Sequence, residues 1–120
     1  MSMEIIKEAA KVAFEKKAEH LVVLDLKPQE DTCDYQLICS VENEIQAKTI
    51  VDSIERHCAE TLKVKPVCVD GRVNAQWIAM DYGSVIIHVF LKNLRNYYAL
   101  ERLWPKATFQ PEEGETHESV

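Results

Sequence analysis

Two strand-length apolar stretches around Gly83-Ser84 constrain the fold of this chain more than any other feature. Ala75–Tyr82 and Val85–Leu91 are rich in β-branched and aromatic residues, and the pair between them suits a tight hairpin turn. Strand side chains alternate between faces, so the turn fixes which residues share a surface. With a two- or four-residue loop, one face carries Ile78, Met80, Tyr82, Val85, Ile87, Val89 and Leu91. That face is almost wholly apolar and must be covered by helices.

Helices are available on both sides of a second strand pair. Ile5, Ile6, Ala9 and Ala13 recur at one-face spacing, with Val12 flanking, which predicts a helix over 3–17 capped by Ser2. The short apolar run from Leu21 to Leu26 reads as a buried strand that Pro28 stops, and Asp34–Val41 as another. The connection between them is too short for a crossover, so the two should be antiparallel neighbours. Asn43 with Gln46 three residues later forms a capping-box pattern. Behind it Ala47, Ile50, Val51, Ile54, Cys58 and Leu62 fall on one stripe, predicting a helix over 44–62. Pro66–Asp70 is a further strand, returned by that helix and so parallel to 34–41, and Gly71–Asn74 is a turn. Asn93 caps a last helix over 94–104, with Leu94, Tyr97, Tyr98, Leu100 and Trp104 as its apolar positions. The order α-β-β-α-β-β-β-α predicts an α+β domain on a five-stranded mixed sheet, residues 1–105. After Pro105 the acidic segment 106–120 shows no apolar pattern and is expected to be disordered.

Charge narrows the function classes. With 14 Lys+Arg against 20 Asp+Glu the formal charge is −6, which opposes binding to DNA or bare RNA. Half of that excess lies in residues 106–120, which hold Lys106 and four glutamates. No apolar run reaches membrane-span length, and no basic segment precedes an apolar one at the start, so the expectation is a soluble, cytoplasmic protein. Cys33, Cys39, Cys58 and Cys68 form no CxxC and no zinc-type spacing. They read as reduced core thiols.

The second face of the hairpin carries Trp77, Ala79, Asp81, Ile86, His88 and Phe90. Large aromatics beside polar groups are what the centre of a protein interface holds, because the rings bury much area at small entropic cost. A helix or terminal segment folded over this face would instead make Trp77 and Phe90 core residues. Catalytic signals are weak. His88 falls opposite Ala79 rather than Asp81, with no nucleophile beside it, and reads as a structural histidine. His57 and Cys58 point apart on a helix, so no metal site forms there. Three glycines, Gly71, Gly83 and Gly114, make no phosphate-binding loop. The expectation is no catalytic residue, no metal, no cofactor and no enzyme.

Four blocks of the chain, in order, resemble the ribosomal silencing factor (Iojap-like) family. They are Lys17–Leu26, Cys33–Ser40, Trp77–Phe90 and Tyr97–Trp104, and the likeness covers about residues 4–104. The resemblance implies a nucleotidyltransferase-like fold that has lost catalysis. It further implies binding to the large ribosomal subunit through ribosomal protein fourteen, with steric blocking of subunit joining and repression of translation, and it makes a homodimer an expectation. Two stretches depart from the family pattern. Ser40–Ile45 lacks the usual Gly and Arg, having Val41 and Ile45, and Ser84 replaces the usual Asp after Asp-Tyr-Gly. The expected partner-binding residues are Trp77, Asp81, Tyr82, Gly83, Ile86, His88 and Phe90. A nucleotidyltransferase-like enzyme or nucleotide-binding protein with a degenerate site is the alternative.

Overall fold

A computed structural model describes residues 2–25, 34–92 and 108–109, and over most of these local pattern and tertiary structure agree. In chain order these form α1 (Ser2–Glu15), β1 (Glu19–Asp25), β2 (Tyr35–Val41), α2 (Glu44–Leu62), β3 (Cys68–Asp70), β4 (Trp77–Asp81), β5 (Val85–Leu91) and β6 (Thr108–Phe109). α2 begins where the capping chemistry places it. Asn43 accepts from the Gln46 N–H at 2.9 Å, and the Gln46 side chain accepts from Glu42 N–H at 2.8 Å. The same Gln46 donates to the carbonyls of Lys16 and Lys17, tying the start of α2 to the end of α1. At its far end α2 stops at Lys63, whose left-handed conformation (φ 60) turns the chain out of the helix.

The sheet order is β3-β4-β5-β2-β1-β6, with β2 and β5 parallel and every other pair antiparallel. β1 and β2 are antiparallel neighbours, as the short connection requires. β3 does run parallel to β2, but β4 and β5 stand between them. The five expected strands are all present, and among the described residues Thr108–Phe109 adds a short sixth to the outer edge of β1, in a segment whose pattern gave no element. The helix expected over 94–104, and Cys33, lie outside the described residues.

Both helices pack on one face of the sheet. Ile5, Ile6, Ala9 and Ala13 of α1, and Ala47, Ile50, Val51, Ile54 and Cys58 of α2, join Leu37, Cys39, Ile78, Met80, Val85, Ile87 and Val89 in one core. Each such aliphatic side chain contributes about 1.5–3 kcal/mol through burial. Ser2 is not a cap. It lies inside α1, and its hydroxyl bonds Asp34 (2.8 Å) and Ser84 (2.7 Å) instead. Cys39 and Cys58 are core thiols, but Cys68 is exposed, because β3 is the sheet's outer edge and this residue faces away from the helices. Among the described residues no helix is long and apolar enough to cross a membrane.

Candidate partner-docking site

The site is built on the β4–β5 hairpin, and its turn sets the geometry. Gly83, the first of the two turn residues, has φ +88, a left-handed conformation that glycine adopts without strain. Tyr82 N–H donates to Val85 C=O at 2.8 Å, and the Gly83 N–H donates to the Asp81 carboxylate at 2.7 Å. The register is Trp77 opposite Phe90, Ala79 opposite His88 and Asp81 opposite Ile86. These six residues therefore share the face turned away from the helices, as alternation predicts. The Ser84 carbonyl accepts from the N–H groups of Asp34 and Tyr35, which fastens the hairpin tip to β2.

A second anchor lies at the start of β4. Gly71 has φ +95, and a Cβ there would sit 2.1 Å from the Trp77 carbonyl oxygen, so only glycine lets the turn pass this close. Next to it Arg72 reaches across to α2, pairing with Asp52 and, at 2.6 Å, with Glu55. The backbone of Trp77 is thereby held between a turn and a strand, each fixed elsewhere.

Three rings and one amide then define the centre of the face. Trp77 stacks on Phe90 with centroids 4.9 Å apart and planes 17° from parallel. Its indole N–H donates to His88 Nδ1 at 3.0 Å. An indole nitrogen can only donate, so Nδ1 is the bare nitrogen of the imidazole and Nε2 carries the hydrogen. That hydrogen goes to Gln36 Oε1, 3.1 Å away on β2. Burial pushes the His88 pKa down to about 4, so the ring is neutral at physiological pH.

Exposure divides the expected site residues. Trp77 is 36% exposed, whereas Phe90 is 1% and His88 8% exposed. Phe90, expected among the partner-binding residues, instead belongs to a second, smaller core with Val22, Leu24 and Ile38. Asp81 and Ile86 are half-buried, and Gly83 is exposed at the tip. Tyr82 is buried on the opposite face, its hydroxyl among α2 residues near Cys58, so it cannot touch a partner. Two neighbours escaped sequence reasoning. Asp70 pairs with Ala79 and Cys68 with Asp81, which brings both exposed β3 residues onto the Trp77 face. Gln36 escaped too, because its link to His88 depends on β2 lying beside β5, which no local pattern encodes. The open part of the face thus comprises the Trp77 indole and, further along the same surface, Asp70 opposite Ala79 and the half-buried Asp81. Among the described residues no group of three or more His, Cys, Asp or Glu side chains is placed to hold a metal ion.

Comparison with known proteins assigns the architecture to a family. A model described as ribosomal silencing factor during starvation matches residues 1–119, nearly the whole chain. The chain belongs to this family. A ribosomal silencing factor of Bacillus subtilis is 36% identical over 104 residues, 86% of each protein. A crystal structure of a Bacillus halodurans protein superposes with a TM-score of 0.77 at 32% identity, covering 90% of this chain and 98% of that one. A Chromobacterium violaceum crystal structure reaches a TM-score of 0.83 at 24% identity, over 95% and 94% of the two chains, and shares the fold. In this member of the ribosomal silencing factor family, the hairpin that carries Trp77 is set into a sheet whose opposite face is covered by both described helices.

Proposed function

We propose that this protein is a non-catalytic translation repressor that binds the large ribosomal subunit through ribosomal protein fourteen and blocks joining of the small subunit. The contact surface is the exposed edge of Trp77 with Asp81, Ile86, Gly83 and, from β3, Asp70. His88 and Phe90 act beneath it rather than at the contact. The observation that carries this reading is the indole left 36% exposed on the sheet, stacked on a buried Phe90 and sharing its face with Asp70 and Asp81. A large aromatic ring with a polar rim matches the centre of a protein interface. The acidic flank and the net charge of −6 favour a basic protein surface over bare nucleic acid.

Family membership supports a role on the ribosome and a cytoplasmic setting. The nucleotidyltransferase-like ancestry of the fold, and a homodimer, belong to the same proposal. Gradient sedimentation of purified ribosomal subunits tests it. The protein is expected to travel with the large subunit and to reduce the peak of joined ribosomes. Migration with the small subunit, or unimpaired joining at saturating protein, contradicts it.

A further inference from the structure

His88 is an unusual choice for a buried strand position. Its neighbours on this face include Phe90 and Ile38, and an aliphatic side chain there would avoid the desolvation that holds the imidazole neutral. Both ring nitrogens are nonetheless used, and in a definite sense. Nε2–H is committed to Gln36, which leaves Nδ1 as an acceptor aimed at the Trp77 indole, the most exposed ring on this face among the described residues. Both contacts are diagonal cross-strand contacts, Gln36 to His88 from β2 to β5 and His88 to Trp77 from β5 to β4. The chain Gln36–His88–Trp77 therefore runs across three adjacent strands and ends at the exposed indole.

We propose that His88 and Gln36 are positioning residues that lock the Trp77 indole in one orientation over Phe90, so that the docking surface is ordered before its partner arrives. The role rests on the docking reading given above. A ring free to rotate would have to be immobilised on binding, and a ring already fixed by stacking and a directed hydrogen bond avoids that entropy loss. Gln36 selects the tautomer; without its acceptor, Nε2–H has no fixed partner among the described residues and the Nδ1 lone pair is no longer held toward the indole.

The test compares His88→Leu, which deletes the acceptor, with His88→Asn, which keeps a side-chain oxygen near the Nδ1 position. Gln36→Leu removes only the tautomer-setting contact. The first readout needs no ribosome: solvent exchange of the Trp77 indole N–H by NMR, its resonance assigned by its loss in Trp77→Phe. The second is affinity for purified large subunits. His88→Leu is expected to expose the indole N–H to exchange and to weaken binding about 2- to 10-fold, the scale of one newly immobilised side chain. His88→Asn should retain most of the protection and bind within about 2-fold of the parent, while Gln36→Leu falls between. Should His88→Leu fail to fold, Gln36→Leu carries the same test through the same two readouts. Unchanged indole exchange and affinity in folded His88→Leu or Gln36→Leu overturn the proposal, as does His88→Asn behaving like His88→Leu. Trp77→Ala separates the two readings. If it abolishes binding while His88→Leu binds normally, positioning alone fails; if it binds like the parent, the docking surface fails and positioning with it.

Discussion

Two single residues under the hairpin carry measurable consequences. Gly71→Ala would drive a methyl group into the Trp77 carbonyl and force a side chain onto φ +95, so the turn must shift. A loss of at least about 2 kcal/mol in urea unfolding is expected; a change under about 0.5 kcal/mol would mean that the turn yields freely. His88 supplies a pH signature. Its pKa is lowered from 6.5 to about 4, so between those values the unfolded chain takes up a proton that the folded chain refuses. Stability should therefore fall as pH drops through that window, by about 2 kcal/mol at pH 5 relative to His88→Asn. Parallel stability profiles for the two proteins from pH 7 to pH 5 would contradict a buried neutral imidazole. Glu8, bonded to His57, and Glu19, bonded to Lys92, have lowered pKa values and act in the same direction at lower pH.

At the scale of elements, what was legible in the sequence is what local chemistry controls. α2 occupies 44–62 because Asn43 and Gln46 specify its start and its apolar stripe specifies its face. The hairpin register follows from a two-residue turn, and with it the division of β4 and β5 into a core face and a second face. Illegible were the relations set by distant pairing. Placing β5 between β4 and β2 is what brings Gln36 to His88, and β3 at the edge is what exposes Cys68 and adds Asp70 to the site. Phe90 shows the limit most clearly: alternation puts it on the second face, yet its burial depends on Val22, Leu24 and Ile38 from strands far away in sequence. The core face makes its own prediction. Ile87→Ala, at a fully buried position, should cost about 2–5 kcal/mol. Val73→Ala, at a position 91% exposed in the turn, should stay within about 0.5 kcal/mol. Equal effects in denaturant unfolding would mean that the helix-covered face is not the core.

For the whole molecule, one side of the sheet carries the main core, and the proposed docking surface is the part of the other side that leaves Trp77 exposed. An acidic protein with Asp70 and Asp81 on the same sheet face as its exposed indole should associate with a basic surface faster at low ionic strength. Association with large subunits is therefore expected to slow as salt rises, with the dissociation rate changing less; an association rate indifferent to salt would remove the electrostatic part of the reading. The indole itself is the more decisive element. Affinity of Trp77→Ala for purified large ribosomal subunits, measured beside the parent protein with unchanged circular dichroism as the control for folding, addresses it directly. A loss on the order of 2 kcal/mol, about 30-fold in Kd, is expected if this ring anchors the interface. A folded variant that binds as tightly as the parent would show that the partner docks elsewhere.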